Sequence, residues 1–393
     1  MTVYSGGRIS GVETFQVPPR WILVRVTTDA GAVGWGEAIV AKRARGVLGA
    51  VADLTDVVMG ADPFRIEDLW QRMHRGGFFR TGPVLGTAAA AIEQALWDLK
   101  GQVLGLPVHE FLGGAVRDRV RTYAWIGGDR PSDVVEHARL RREQGFGAVK
   151  MNATEQLDYL DRNSKVDAVV ERVAALRDAY GRDLGIALDF HGRVHRPMVR
   201  PLLRALEPYG LMWVEEPLPP GHDDALPLLA SAAGGTPLAT GERLLNRWQV
   251  RPLLEHGAVD VLQPDASLTG LFELEKICRM AESYDVAVAP HCPNGPVCLA
   301  ASLQVDLTCT NVVVQEQSRG LHYHQGYAGL PPGDLSDYLV DQSALQVVDG
   351  YLPAPAGAGL GVDIDAAAVT AAATSWRLPD PDWTYDDGRY AEW

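Results

Sequence analysis

The chain of 393 residues is 47% hydrophobic and carries a formal net charge of −14 at pH 7, which describes a soluble chain with ample core and more length than one ordinary domain needs. The sign of the charge opposes binding to nucleic acid or an anionic membrane surface, while leaving open a small anionic substrate whose affinity is set locally. No apolar run approaches the roughly 20 residues that cross a bilayer, and the opening MTVYSGGRIS has no basic segment ahead of an apolar one, so the expected location is cytoplasmic, with no nucleic-acid or membrane partner. Cys278, Cys292, Cys298 and Cys309 form no C-x-x-C pair, which argues for buried small hydrophobes over a zinc knuckle or a disulfide framework.

Two β-rich runs come first, Trp21 to Thr28 and Val33 to Ile39, and the turn Thr28-Asp29-Ala30-Gly31 between them predicts a hairpin. Ile66, Leu69, Trp70 and Met73 then recur at helical spacing, and an Ala-rich helix is expected over Thr87 to Leu104. Residues 1–121 therefore read as an α+β domain. From about Tyr123 short apolar runs alternate with amphipathic stretches such as Val166 to Tyr180 and Leu271 to Tyr284, the rhythm of parallel strands joined by crossover helices. The apolar runs are Thr122 to Ile126, Ala148 to Asn152, Gly185 to His191, Leu211 to Pro217, Pro237 to Glu242, Val259 to Asp265, Val286 to Cys292 and Asn311 to Gln317. Eight such units predict a closed β/α barrel, TIM-like, over residues 122–330. From about Pro331 the rhythm stops, and residues 331–393, with a tail containing Trp376, Trp383 and Trp393, are expected to pack back on the N-terminal domain as part of a cap.

Nearly every predicted strand ends in an acid, an amide or an imidazole: Lys150 and Asn152, Asp189 and His191, Glu215 and Glu216, Glu242, Asp265, His291, Glu316. In a barrel those ends converge at one mouth. Strand alternation puts Asp189 and His191 on one face. Any one acid there would also suit an N-cap of the following helix. Asp189, Glu215 and Glu242 on three successive strands would repel one another unless they held a cation, and an oxygen-only ligand set favours Mg²⁺. His291 in APHCP and Asp265 in QPD end adjacent strands, so the carboxylate could fix the imidazole tautomer and make His291 a general base, with His191 opposite. The implied chemistry is proton abstraction beside a carboxylate, with a divalent metal stabilising the charge that develops. Glu316 is a candidate donor to a substrate carboxylate oxygen if it is protonated, and a structural bond to a neighbouring strand is its alternative. Six histidines are set aside on position, and His322 and His324 stay open.

The stretches PPRWILVRVTTDAGAVGWGE, DLWQRMHRGGFFRTGP, QALWDLKGQVLGLPVHEFLGG, WIGGDRP, KMN, DFHGRV, EEPLPP, TGER, QPDASLTG, APHCPNGPVCLAASLQVD and QEQS occur in this order along nearly the whole chain. In order and spacing they resemble the mandelate-racemase-type members of the enolase superfamily and, more narrowly, the D-galactonate dehydratases. The resemblance implies Mg²⁺ on Asp189, Glu215 and Glu242, removal of the C2 proton by His291 paired with Asp265, and protonation of the departing 3-hydroxyl by His191. The product would be a 2-keto-3-deoxy acid. It further implies that the segment Arg75 to Pro83 reaches substrate, and that the chain is a homo-oligomer.

A lysine-plus-histidine racemase of the superfamily carries a second lysine two residues after the first, where this chain has Asn152. Elimination is therefore expected over racemisation or epimerisation of a 2-hydroxy acid. A barrel retained only as a binding or assembly module is a third reading. Lys150 and Asn152 are candidate substrate contacts, Lys150 equally a partner for nearby acids, since a buried lysine needs one. Two departures bear on specificity. The loop ASLTGLFELEKI lacks one residue and a Gly-Gly, and the stretch YAGLPPGDLSDYL is longer than in the resembled dehydratases. The acid sugar taken is accordingly left open between D-galactonate, a stereoisomer and another acid sugar.

Overall fold

The computed structural model describes residues 6–391 except 81, 128–130, 153, 156, 231 and 381. Strands β1 (Ile9–Val17), β2 (Trp21–Thr28) and β3 (Val33–Ala38) form an antiparallel sheet in that order. The expected hairpin is β2–β3, with Val24 opposite Gly36 and Gly31 at φ 81 in the turn, a conformation glycine adopts without penalty. Strand β1 was not foreseen: its apolar residues do not alternate regularly, and pairing with β2, Val12 opposite Val26, is what holds it extended.

Helices α1 (Ala44–Val58), α2 (Ile66–Arg75) and α3 (Pro83–Leu104) cover this sheet. Proline opens α3 and Gly105, at φ 67, ends it, the usual asymmetry of helix termini. The helix lies against β3 so closely that a Cβ on Gly36 would sit 1.8 Å from the Ala91 carbonyl oxygen, and one on Gly34 2.0 Å from that of Ala95. The backbone N–H groups of Trp35, Glu37 and Ile39 are taken by Asp98, Gln94 and Thr87 at 2.9, 3.0 and 2.8 Å, one face of α3 satisfying an edge strand. Gly36→Ala is expected to lower unfolding free energy by about 3 kcal/mol, the upper end for overpacking because backbone faces backbone; urea denaturation checks it, and a change below about 1 kcal/mol would mean that the helix can back away.

Strand β4 (Arg119–Arg121) leads into the barrel, whose parallel strands are β5 (Ala124–Trp125), β6 (Ala148–Asn152), β7 (Gly185–Asp189), β8 (Trp213–Glu215), β9 (Leu238–Thr240), β10 (Val261–Leu262) and β11 (Ala287–Val288), hydrogen-bonded in chain order. The eighth predicted run joins the two edges through bridges: Val312 pairs with Val288, and Gln315 with Thr122. Helices α4 (Pro131–Glu143), α5 (Asn163–Tyr180), α6 (Arg196–Leu206), α7 (Leu226–Ala230), α8 (Arg247–Glu255), α9 (Ala266–Thr269), α10 (Leu271–Glu282) and α11 (Pro296–Asp306) intervene. Inside, Tyr123, Ala148, Ala187, Trp213, Ala239, Val261, Ala289 and Val314 make a separate buried layer. Alanines on three strands and one just past a fourth leave room for two large rings, which meet edge to face at 5.7 Å. This layer is the floor under the mouth.

Residues after the barrel return to the N-terminal sheet. Strand β12 (Tyr351–Pro353) pairs antiparallel with β4, α12 (Ala366–Ala372) contacts β1, and Gln16 Nε2 donates to the Trp376 carbonyl at 3.1 Å. Trp393 lies outside the described residues. No helix among them is long and apolar enough to cross a membrane, and the four cysteines are buried free thiols.

Candidate active site

Two glutamates fix the N-terminal sheet over the mouth. Glu37 of β3 accepts from the backbone N–H of Gly295 and Cys298 at 2.6 and 3.0 Å, at the start of α11. Glu93 of α3 accepts from those of Leu271 and Phe272 at 2.8 and 2.9 Å, at the start of α10. Helix N-termini offer unsatisfied donors and positive potential, so both acids are placed where their charge is best tolerated. Burial, the larger effect, still pushes each up to about 7.

Below them a cavity of about 1050 Å³ is lined at the strand ends by Lys150, Asn152, Asp189, His191, Glu242, His291 and Glu316. Asp189, Glu215 and Glu242 each turn a carboxylate oxygen to one point, all within 4.8 Å of one another. Glu215 is oriented from below, its Oε2 accepting from Trp213 Nε1 at 2.9 Å and Gln263 Nε2 at 2.6 Å and its Oε1 from Lys150 Nζ at 2.6 Å. Burial, then the charge of Glu215, raises Asp189 to about 8. Burial raises Glu242 to about 7, with Asp189 and Glu215 adding to it and His291 opposing. Carboxylates so crowded bind protons where a cation is not offered, and three convergent oxygen donors fit a hard divalent ion such as Mg²⁺.

His291 Nδ1 lies 2.7 Å from Asp265 Oδ2. Asp265 is buried and held by Ser267 N and Oγ, both at 2.7 Å, and by Asn294 Nδ2 at 3.1 Å. Every one of these partners donates, so the carboxylate accepts throughout and the His291 proton sits on Nδ1, leaving Nε2 toward Glu242 at 3.4 Å. Burial disfavours charge on this ring, but Glu242, Glu316 and Asp265 outweigh it and hold it well above the ordinary histidine value.

His191 reaches the cavity by a route strand alternation did not describe. Strand β7 ends at Asp189, and His191 follows in a left-handed conformation, φ 55, its backbone N–H bonded to Asp189 Oδ1 at 2.6 Å. Such a backbone costs on the order of 1–3 kcal/mol in a non-glycine residue and persists only where the surroundings impose it. Arg193 Nη2 is 3.0 Å from His191 Nδ1; a guanidinium only donates, so Nδ1 accepts and the proton is on Nε2. Burial, then Arg193, holds His191 down at about 3, a neutral ring.

Lys150, 1% exposed, bonds Glu215 at 2.6 Å and Glu316 at 2.9 Å. Glu316 Oε2 also accepts from the Cys292 N–H at 3.0 Å. Glu216, one residue beyond Glu215, turns the other way at φ 45 to Arg243 and Thr240 and does not line the cavity. Nor do the described residues of 75–83, where Phe78 and Phe79 are exposed. The N-terminal part instead contributes Arg20 and residues 39–42, and the other unforeseen linings include Arg193, Tyr323 and Trp383. Of the two histidines left open, His322 lines the cavity, while His324 bonds the Gly333 carbonyl at 2.5 Å.

Fold and site together define a capped barrel with a carboxylate triad beside a His–Asp pair. Residues 12–113 match the mandelate racemase / muconate lactonizing enzyme N-terminal domain and 133–368 the enolase C-terminal domain-like family. D-galactonate dehydratases of Ralstonia nicotianae and Ralstonia pickettii are 47% and 46% identical over 390 residues, 98% of this chain and 100% of each relative. The crystal structure of an enolase from Agrobacterium radiobacter, with sodium and L-malate bound, superposes with a TM-score of 0.88 at 31% identity, covering 98% of this chain and 99% of that one. The chain belongs to the mandelate racemase / muconate lactonizing enzyme family of the enolase superfamily. It is an enzyme of the hydro-lyase class.

Proposed function

We propose that the enzyme dehydrates an acid sugar to a 2-keto-3-deoxy acid through an enediolate, with D-galactonate or a stereoisomeric aldonate as the first candidate and Asp189, Glu215 and Glu242 holding Mg²⁺. The observation that carries this reading is the placing of two imidazoles with opposite duties, His291 and His191, in one cavity with the triad. Bound there, Mg²⁺ would act as a Lewis acid toward the charge that develops on the substrate carboxylate and would take up the Glu242 charge that otherwise keeps a proton on His291 Nε2. His291 removes the C2 proton with Nε2 while Asp265 holds Nδ1–H and steadies the charge the ring acquires. His191, its proton on Nε2, gives that proton to the departing 3-hydroxyl as the C–O bond breaks, and the Arg193 guanidinium on Nδ1 offsets the negative charge left on the ring. Lys150, Asn152 and Glu316 bound the end where the carboxylate sits, Glu316 being kept in place by Lys150 and the Cys292 N–H. Residues 1–121 with 331–393 serve as the cap that closes the mouth, and homo-oligomerisation and a cytoplasmic location are part of the same reading.

The test is a screen of Mg²⁺-loaded protein against acid sugars, with 2-keto-3-deoxy products read by semicarbazide absorbance. Turnover of an aldonate supports the reading; neither product nor C2 exchange across the set overturns it, and release of 2-epimer without loss of water would make the enzyme an epimerase. Asp265→Asn is expected to lower kcat by ~10²–10⁴-fold, the range for a misoriented acid–base histidine, while Mg²⁺ still raises the melting temperature. Loss of that metal response would place Asp265 among the metal's own ligands.

A further inference from the structure

The cap side of the cavity is cationic, although the whole chain carries −14. Arg20, from the β1–β2 turn, Lys42, from the segment after β3, and Arg193, from the loop after β7, all line it. The Arg20 guanidinium is stacked 3.8 Å from the centre of the Tyr323 ring and donates to the Pro293 carbonyl at 3.2 Å. That of Arg193 is stacked 4.6 Å from the Trp383 ring and donates to the Thr154 carbonyl at 3.2 Å. Stacking fixes both groups while leaving their charge available. Neither arginine takes part in an ion pair among the described residues. Of the acids close by, Glu155 pairs with Lys165 and Arg172, Asp380 pairs with Arg43 and also draws on Lys42, and Asp189 of the triad draws on Arg193. Burial first, and then Arg20, Arg43 and Arg193 against the pull of Asp380, draw Lys42 down to about 8. Like charges gathered in the wall of a cavity repel one another unless an anion enters.

We propose that Lys42, Arg20 and Arg193 form an anion subsite for the far end of the substrate, so that the preferred acid sugar carries a second anionic group, a terminal carboxylate or phosphate, in place of a neutral hydroxymethyl. The inference rests on the acid-sugar dehydration proposed above and moves its preferred substrate from the neutral-ended aldonates named there to acid sugars with a second anionic end. The reacting carboxylate is not the group meant, because the triad serves that end from the barrel side.

The experiment compares acid sugars of one C2–C5 configuration that differ only at C6, as hydroxymethyl, carboxylate or phosphate ester, on the full chain with Mg²⁺. A dianion is expected to exceed the neutral-ended acid at least ~10-fold in kcat/KM, as one charge-assisted hydrogen bond supplies. Whether the diacid or the phosphate leads identifies the group. Lys42→Met is expected to cut that ratio ~10-fold, mainly through KM, and Lys42→Arg to restore most of it. A neutral-ended acid that is turned over as well as the dianions, or a ratio that Lys42→Met leaves within twofold, overturns the subsite. Calorimetric binding of the three ligands to His291→Asn protein separates the two claims. A dianion bound tightly only when Lys42 is present keeps the subsite even if no acid sugar is dehydrated, whereas binding indifferent to C6 removes it.

Discussion

His291→Asn is expected to abolish dehydration and the exchange of the C2 proton with deuterated solvent together, while His191→Asn loses dehydration and keeps exchange. The asymmetry follows from where each proton sits. Asp265 takes the Nδ1–H of His291 at 2.7 Å, so Nε2 is the nitrogen left to accept once a cation on the triad takes up the Glu242 charge. Arg193 donates to Nδ1 of His191 at 3.0 Å, so its Nε2 carries a hydrogen. One ring is poised to accept and the other to give. Asparagine keeps a polar amide of similar reach and can do neither at neutral pH, and a positioned acid–base group is worth ~10²–10⁴-fold in rate. NMR of recovered substrate in deuterated water, beside product formation, reads both events. If His191→Asn dehydrates at the parent rate, the acid lies elsewhere; if His291→Asn still exchanges C2, another base removes the proton.

Much of this site was legible in sequence because a parallel barrel converts a linear regularity into a spatial one. An apolar run followed by an acid or imidazole, repeated strand after strand, brings Asp189, Glu215, Glu242, Asp265 and His291 to one mouth once the strands are closed, and Asp265 caps the helix that follows it as well. The hairpin and the helix of Ile66–Arg75 were legible from local spacing in the same way. Strand β1 was not, since pairing with β2 determines it more than its own alternation does. The backbone reversals at His191 and Glu216 were also invisible, and they decide that His191 faces the cavity while Glu216 leaves it. Arg20, Lys42 and Trp383 carry no local mark of function. Arg20 and Lys42 reach the cavity because Glu37 and Glu93 dock the N-terminal sheet onto two helix N-termini of the barrel, and Trp383 because the C-terminal segment brings it against Arg193, tertiary events that no window of sequence reports. The segment Arg75 to Pro83, nominated by resemblance, is the converse case: its described residues lie off the cavity.

Lys150→Met is expected to destabilise the metal-free protein by about 3–5 kcal/mol, the cost of removing one partner from a buried ion pair. Two roles for this lysine were open from sequence, a substrate contact or a partner for acids, and the surroundings favour the second. Its ammonium is 2.6 Å from Glu215 and 2.9 Å from Glu316, and it lies 5.5 Å from the Tyr123 ring and 5.4 Å from that of Trp125. Burial opposes its charge, yet the two carboxylates outweigh burial and hold it well above the ordinary lysine value. Methionine fills the space without the charge, leaving two carboxylates facing each other in a dry site. Urea denaturation without metal measures the loss. Mg²⁺ should return part of it by binding the folded state, and adding Glu316→Gln to Lys150→Met should return more, because the amide removes one of the stranded charges. A lysine that served only substrate would behave otherwise: metal-free stability would stay within about 0.5 kcal/mol, as for sites outside such networks, and KM alone would rise.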